Sequence, residues 1–223
     1  MTAIDVDVAV VGAGGAGLFT ALTAAHAGAT VALVSATPLA QTASYWAQGG
    51  IAAALALDDS PAEHLADTET AGRGLTRRSA AQVLVDEAPQ AVAALVELGV
   101  RFDADRHGNL ALGLEGGHSK RRVVHAGGSA TGRRVTRDLA ALVVEDPQVT
   151  VLEGARAADL WTGDEGRCIG VLIEDGRAIR ARASIITAGG AAALWQRTTN
   201  PPGSIGAGMV LAHRAGADLA DLE

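Results

Sequence analysis

Six residues near the start do most to limit what this chain can fold into: Gly12-Ala13-Gly14-Gly15-Ala16-Gly17. They follow a valine-rich run, Val6 to Val11, broken only by Asp7 and Ala9. They precede Leu18 to Ala27, an alanine-rich stretch that Gly28 stops, and then a second apolar run, Val31 to Val34. A strand that is apolar at nearly every position belongs in a parallel sheet covered on both faces. Strand, G-x-G-x-x-G turn, helix and strand within about 30 residues make a βαβ unit with its glycines at the turn. Such a turn lets backbone approach a pyrophosphate, and the helix start behind it offers free N–H groups and partial positive charge. The reading is an α/β domain that binds a dinucleotide. The alternative is a tight strand-to-helix turn with no ligand.

The nature of the dinucleotide is narrowed further along. Nicotinamide sites and many flavin sites carry an acid at the end of the second strand to hold the ribose hydroxyls. Ser35 stands there instead, and a hydroxyl holds ribose less firmly than a carboxylate. A second glycine pair, Gly189-Gly190, ends the apolar run Ile185 to Ala188 and follows a strand meander. That suits a flavin dinucleotide lying extended along the fold, and it also suits an ordinary strand exit. Glycine is abundant, 28 of 223 residues or about 13%, nearly double the usual share, and its clusters read as close backbone approach to something bound.

Charge and composition exclude other classes. The net charge of −7 repels nucleic acid and anionic membranes, and aromatics at 3% supply no base-stacking platform. Arg133, Arg134 and Arg137 sit at helical spacing and read as a solvated face. The single cysteine, Cys168, makes no internal disulfide, which fits a reducing cytoplasm. Met1 to Asp7 has no basic segment and is not a signal peptide, and no stretch is long and apolar enough to span a membrane.

The rest of the chain reads as mixed helix and strand with no linker. Gln41 to Ala54 is a small-residue loop around Gln48-Gly49-Gly50. Ser60-Pro61-Ala62-Glu63 has a serine N-cap, a proline at the first helical position and a glutamate for a capping box. Ser79 to Ala88 and Gln90 to Leu98 read as two helical pieces divided at Pro89, the second ended by Gly99. Glu115 to Gly132 reads as a polar loop entering a helix over Arg133 to Val144. Val149 to Glu153, Ala157 to Trp161, Ile169 to Glu174, Ala178 to Ala183 and Ile185 to Ala188 are short strands, with a hairpin turn at Asp175-Gly176. A last helix covers Gly208 to Ala215.

The densest polar cluster is Glu115-Gly116-Gly117-His118-Ser119-Lys120-Arg121-Arg122 with His125. One carboxylate, two imidazoles and three cations suit a substrate bearing both an amine and carboxylates. A solvated basic loop is the other reading. No carboxylate or cysteine stands at ligand spacing to the histidines, which points away from a metal site.

These blocks together resemble the L-aspartate oxidase family of the succinate dehydrogenase and fumarate reductase flavoproteins. The resemblance runs through Gly12 to Gly17, Tyr45-Trp46-Ala47-Gln48-Gly49-Gly50-Ile51-Ala52-Ala53, His64, Asp67-Thr68, Ala71-Gly72 and Gly99 to Asp103. It continues through Glu115 to Ser119, Arg121-Arg122, His125-Ala126-Gly127-Gly128, Ala130-Thr131-Gly132 and Thr198-Thr199-Asn200-Pro201.

It implies a glutathione-reductase-like Rossmann fold with a parallel sheet and a β-meander, binding FAD. It implies oxidation of L-aspartate to iminoaspartate with hydride passed to the flavin, and reoxidation by O2 or fumarate. The product would feed quinolinate synthesis toward NAD, with quinolinate synthase as a partner. Gly12, Ala13, Gly14, Gly15, Ala16 and Gly17 would hold the pyrophosphate, and Ser35 and Ala36 would lie near the adenosine ribose. Ala43, Ser44, Tyr45, Trp46, Ala47, Gln48, Gly49 and Gly50 would follow the ribityl chain and flavin ring. Arg156 and Ala157 would reach the adenine through backbone atoms, and Ala207 would stand where the family has an FAD-contacting aspartate.

Relatives that bond the flavin covalently do so through a histidine where this chain has Ala43, so the FAD would be non-covalent. Glu115 stands where succinate dehydrogenases carry an apolar aromatic. A carboxylate within ~4 Å of the substrate's ammonium would select an amino diacid over a plain one, so the resemblance makes Glu115 the substrate-orienting residue. Residues 1–223 would be the N-terminal portion of the FAD-binding domain. The capping domain, the remaining FAD segment, the C-terminal helical domain and the catalytic arginine would lie beyond, leaving the isolated chain inactive. Ala36, Gly113-Leu114, Ser129 and Ala207 depart from the family pattern. They leave two alternatives: a non-catalytic flavoprotein remnant, or a related oxidoreductase acting on another dicarboxylate.

Overall fold

The N-terminal valine run becomes the middle of a sheet. In the computed structural model, which describes residues 3–220 and 222, the elements begin with β1 (Ala3–Val11), α1 (Gly15–His26), β2 (Val31–Ser35) and the short α2 (Ala43–Trp46). β3 (Ile51–Ala52), α3 (Pro61–Gly72), α4 (Arg78–Glu97), β4 (Leu112–Gly113), β5 (Val123–Val124) and α5 (Thr131–Glu145) follow. The chain closes with β6 (Val149–Glu153), β7 (Ala157–Thr162), β8 (Cys168–Ile173), β9 (Ala178–Ile186) and α6 (Ala207–Arg214). Two compact units result, Met1–Trp46 with Thr136–Glu223, and Ala47–Val135.

The first unit is built on a six-stranded sheet in the order β6-β2-β1-β9-β8-β7. The pairs β6–β2, β2–β1 and β1–β9 are parallel, and β7, β8 and β9 form an antiparallel meander. Every residue of β2 is buried, as a parallel strand covered on both faces requires. α1 buries Gly17, Leu18, Ala21, Leu22 and Ala25, one stripe of the helix. Ala9, Val11, Val34, Val171 and Ile179 of the sheet share one core cluster with Leu211 of α6.

The expected break between Ala183 and Ile185 is absent. β9 runs unbroken from Ala178 to Ile186 because it pairs with β1 along its whole length, Ala3 with Ala178 through Val11 with Ile186. Its first three residues also pair with β8. One strand thus serves both the hairpin and the parallel sheet, which no local sequence signal reveals. The Asp175-Gly176 turn forms as expected, with the Ile173 N–H donating to the Arg177 carbonyl at 2.9 Å.

The second unit holds α3, α4 and a small sheet in the order β3-β5-β4. α3 starts as the sequence indicates: Ser60 is its N-cap, and the Glu63 N–H donates to Ser60 Oγ at 3.2 Å. α4 corrects the expectation of two helices, since Pro89 lies inside a single 20-residue helix. Proline forfeits one backbone hydrogen bond there. Ala81 and Val85 before it and Val92 and Leu95 after it are all buried and continue one apolar stripe, so packing carries the helix across the defect. The polar stretch after Glu115 is also not all loop. Val123 and Val124 form the central strand of the small sheet, and the helix starts at Thr131.

Candidate functional site

In the first unit a cleft opens where β1, β2 and β9 end. Val11 to Gly14, Val34 to Thr37, Thr42 to Ser44, Ala155 to Ala157, Thr187 to Gly189 and Ala207 line it. β1 has β2 on one side and β9 on the other, so this is a reversal point of strand order, where open α/β sheets receive ligands.

The glycine turn is held from both sides. The Gly12 N–H donates to the Val34 carbonyl at 2.8 Å, and the Thr187 N–H donates to the Val11 carbonyl at 2.8 Å. Thr187 Oγ1 lies 2.8 Å from the Gly12 carbonyl oxygen and donates to it. Gly12 has φ +110°, and a Cβ there would meet the Thr187 carbonyl carbon at 2.6 Å, so only glycine fits. A Cβ on Gly17 would run into the Gly12 carbonyl and lie 2.7 Å from Thr187 Oγ1. Gly17 therefore serves helix-to-strand packing and does not line the cleft.

α1 begins beside this cleft with Gly14 as N-cap, no side-chain cap and no acidic residue in its first turn. The Gly15 N–H donates to Ser44 Oγ at 2.9 Å. A Cβ on Gly14 would lie 2.9 Å from the same oxygen. The passage between the helix start and Ser44 is thus just wide enough for bare backbone. A cradle of glycine backbone, an uncapped helix N-terminus and a hydroxyl beside it make a donor set that fits a pyrophosphate.

Ser35, at the end of β2, is 2% exposed and donates its hydroxyl proton to the Thr37 carbonyl at 2.6 Å. It is therefore buried, and it is among the residues that line the cleft. Ala36, Ala43 and Ala207 contribute only methyl groups. The Ala43 side chain has no nucleophile that could bond a flavin covalently. The Arg156 side chain turns to Glu174, Nε to Oε2 3.7 Å. Tyr45 and Trp46 pack edge to face on each other and do not line this cleft, and Trp46 is 57% exposed. Gly15 and Ala16 lie in the first turn of α1 and are not among the lining residues either.

Ala47, Gln48, Gly49 and Gly50 belong to the second unit, which has its own cleft. Gln48, Asp103, Gly113, Glu115, His125 and Ser129 are among its lining residues. The Glu115 side chain is 52% exposed and its Oε1 lies 3.5 Å from His125 Nε2. Asp103 accepts the Gly127 N–H at 2.8 Å and the Gly128 N–H at 2.9 Å. The Gly128 and then the Gly127 hydrogen bond hold its carboxyl below the usual carboxylate range. Sequence reasoning matched Asp103 only as part of a block, since its partners lie 24 and 25 residues away.

The polar cluster does not act as one set. Arg122 is fully buried, with Nε and Nη2 on the Asp59 carboxylate at 2.9 and 2.8 Å and Nη1 on Asp67 at 2.7 Å. Ser119 donates to Asp67 through N–H and hydroxyl, and Lys120 pairs with Asp58 at 3.5 Å. His118 faces His64, ring centroids 5.5 Å apart. Burial, then the Arg122 charge, pushes His64 below the usual histidine range. These residues pin the loop to α3. Glu115 and His125 alone of the cluster line the cleft. Among the described residues, no group of three or more His, Cys, Asp or Glu is placed to hold a metal ion. Nor is any described helix long and apolar enough to cross a membrane.

Residues 7–223 match the family described as FAD binding domain, and the chain belongs to that family. FAD is the cofactor that goes with it. The sequence is similar to L-aspartate oxidases: 44% identical to that of Streptomyces coelicolor over 99% of this chain and 39% of the relative. It is 46% identical to that of Nostoc over 97% of this chain and 38% of the relative. The fold is similar to the Mycobacterium smegmatis Sdh1 complex, with TM-score 0.89 and 28% identity over 97% of this chain and 39% of that one. A quinol-fumarate reductase matches with TM-score 0.88 and 28% identity over 95% of this chain and 38% of that one. The chain thus spans about two fifths of the length of these relatives.

Proposed function

We propose that this chain is the FAD-binding part of an L-aspartate oxidase and that Glu115 orients the substrate. When bound, FAD supplies a two-electron acceptor. The N–H groups at the start of α1 and the Ser44 hydroxyl hold its pyrophosphate, and Ser35 meets the adenosine ribose. Ala43 leaves the flavin non-covalent. Glu115 accepts the ammonium of L-aspartate, whose Cα carries the hydride to be removed. Loss of that hydride and of one nitrogen-bound proton would leave iminoaspartate in its protonated, iminium form, and O2 or fumarate would serve as the final electron acceptor. In this reading the product passes to quinolinate synthase on the route to NAD, in the cytoplasm.

The observation that carries the substrate assignment is the Glu115 carboxylate, half exposed in the cleft that Gln48 also lines. A plain diacid gains nothing from a carboxylate there, whereas an amino diacid gains a charge-assisted hydrogen bond. Glu115→Gln in the FAD-loaded protein should weaken L-aspartate binding about tenfold or more and leave fumarate nearly unchanged. Equal effects on the two ligands would overturn the assignment.

Ala36 and Ala207 favour a second reading. Both line the dinucleotide cleft at positions that depart from the family pattern. A remnant with weak or no FAD binding would show as a colourless purified protein that gains no flavin on titration.

A further inference from the structure

The Glu115 carboxylate faces an imidazole that is itself tightly held. Among the described residues its ion-pairing contact is His125 Nε2, 3.5 Å from Oε1. That separation is slightly longer than a formed hydrogen bond, so a small rotation of the carboxylate closes it. Glutamate has three side-chain torsions, and ordering them costs rotamer entropy. A half-exposed glutamate facing only water would spread over many directions. A fixed donor narrows them.

His125 is built to be that fixed donor. It follows directly on Val124, which pairs with Ile51 on one side and Leu112 on the other. Its carbonyl accepts the Asp103 N–H at 2.7 Å. Its ring lies against two glycines. A Cβ on Gly113 would come within 3.0 Å of Cε1 and 3.4 Å of Nδ1, and a Cβ on Gly50 within 3.0 Å of Nε2. Gly50 also has φ +77°. The imidazole thus occupies a slot that two residues without side chains leave open. Its side chain is only 21% exposed, against 52% for Glu115.

We propose that His125 is a positioning residue for Glu115. Its Nε2–H holds Oε1, so that Oε2 faces the cleft and receives the substrate's ammonium. The pair sets the preference for an amino diacid over a plain diacid. This rests on Glu115 being the ammonium acceptor, as proposed above.

Two replacements separate positioning from space filling. His125→Phe keeps a ring for the slot and removes the donor, while His125→Gln keeps an N–H near the place of Nε2. L-Aspartate and fumarate are titrated into the FAD-loaded protein and followed by flavin difference spectra. H125F should bind L-aspartate about tenfold more weakly and fumarate as before, and H125Q should recover most of the loss. Imidazole 15N NMR of the unsubstituted protein gives a readout without substrate. His125 should be the Nε2–H tautomer, and Glu115→Ala should shift its Nε2 resonance. If E115Q impairs L-aspartate binding and H125F does not, Glu115 keeps its role and His125 loses its own. If E115Q binds L-aspartate normally, the ammonium-acceptor reading has failed and takes the positioning role with it. An Nδ1–H tautomer at His125 overturns the proposal even if neither variant folds.

Discussion

Three neighbouring glycines in the dinucleotide turn should respond to alanine in three different ways. At Gly17 the added methyl group would collide with the Gly12 carbonyl and approach Thr187 Oγ1 to 2.7 Å. Neither can yield cheaply. The Gly12 N–H is tied to β2, and Thr187 bonds to the same carbonyl and to β1. Overpacking of this kind costs about 1–3 kcal/mol, a fall of roughly 2–12 °C in melting temperature for a chain of this size. At Gly15 the nearest atoms are Ser44 Oγ at 3.7 Å and its Cβ at 3.9 Å, ordinary contacts. Alanine there sits in a helix and restricts the unfolded chain, worth about 0.4–1 kcal/mol of added stability. At Gly14 the obstacle is the Ser44 hydroxyl at 2.9 Å, a side chain able to swing away, so the fold survives and the Ser44 bond to Gly15 is lost. Thermal and urea unfolding of the three single variants checks the ordering. A Gly17→Ala protein as stable as Gly15→Ala would refute the close-approach argument.

Other consequences follow from the second unit. Replacing Arg122 by methionine fills most of the volume and leaves the fully buried Asp59 carboxylate uncompensated. The expected loss is about 3–5 kcal/mol by urea denaturation, and a loss below about 1 kcal/mol would contradict the ion-pair account. Asp103 has its carboxyl depressed from its ordinary 3.8 by the Gly128 and Gly127 N–H groups. Its contribution is therefore complete above about pH 3.8 and is lost as pH falls through its lower folded value. Asp103→Asn should flatten that part of the acid-unfolding curve, and an unchanged curve would remove Asp103 from the account.

The parts legible in the sequence are those whose cause is local. The valine run, the glycine turn and α1 announce themselves within 30 residues, and Ser60-Pro61-Ala62-Glu63 and Asp175-Gly176 mark α3 and the hairpin. What stayed hidden depends on partners far along the chain. Pro89 looks like a helix boundary until the buried stripe from Ala81 to Leu95 is seen to span it. β9 looks like two strands until β1 is laid beside it. The polar block from Glu115 to His125 reads as one charged surface. Only the fold shows that Arg122 is spent on Asp59 and Asp67, 63 and 55 residues away, while Glu115 and His125 turn to the cleft. Thr187 carried no signal beyond its place before Gly189-Gly190, yet it buttresses the glycine turn from 175 residues away.

The central claim is that the glycine cradle at the start of α1 holds FAD. Titrating FAD into the purified wild-type chain and into Gly14→Val tests it most directly. Residue 14 has φ −72° and ψ −176°, a backbone that valine adopts readily, while its branches would fill the space beside Ser44. The wild type should take up one FAD and release it on acid denaturation. The valine variant should melt within a few degrees of wild type and bind FAD about a hundredfold more weakly, close to 3 kcal/mol. A valine variant with undiminished affinity, or flavin that stays on the denatured wild-type chain, would contradict the account.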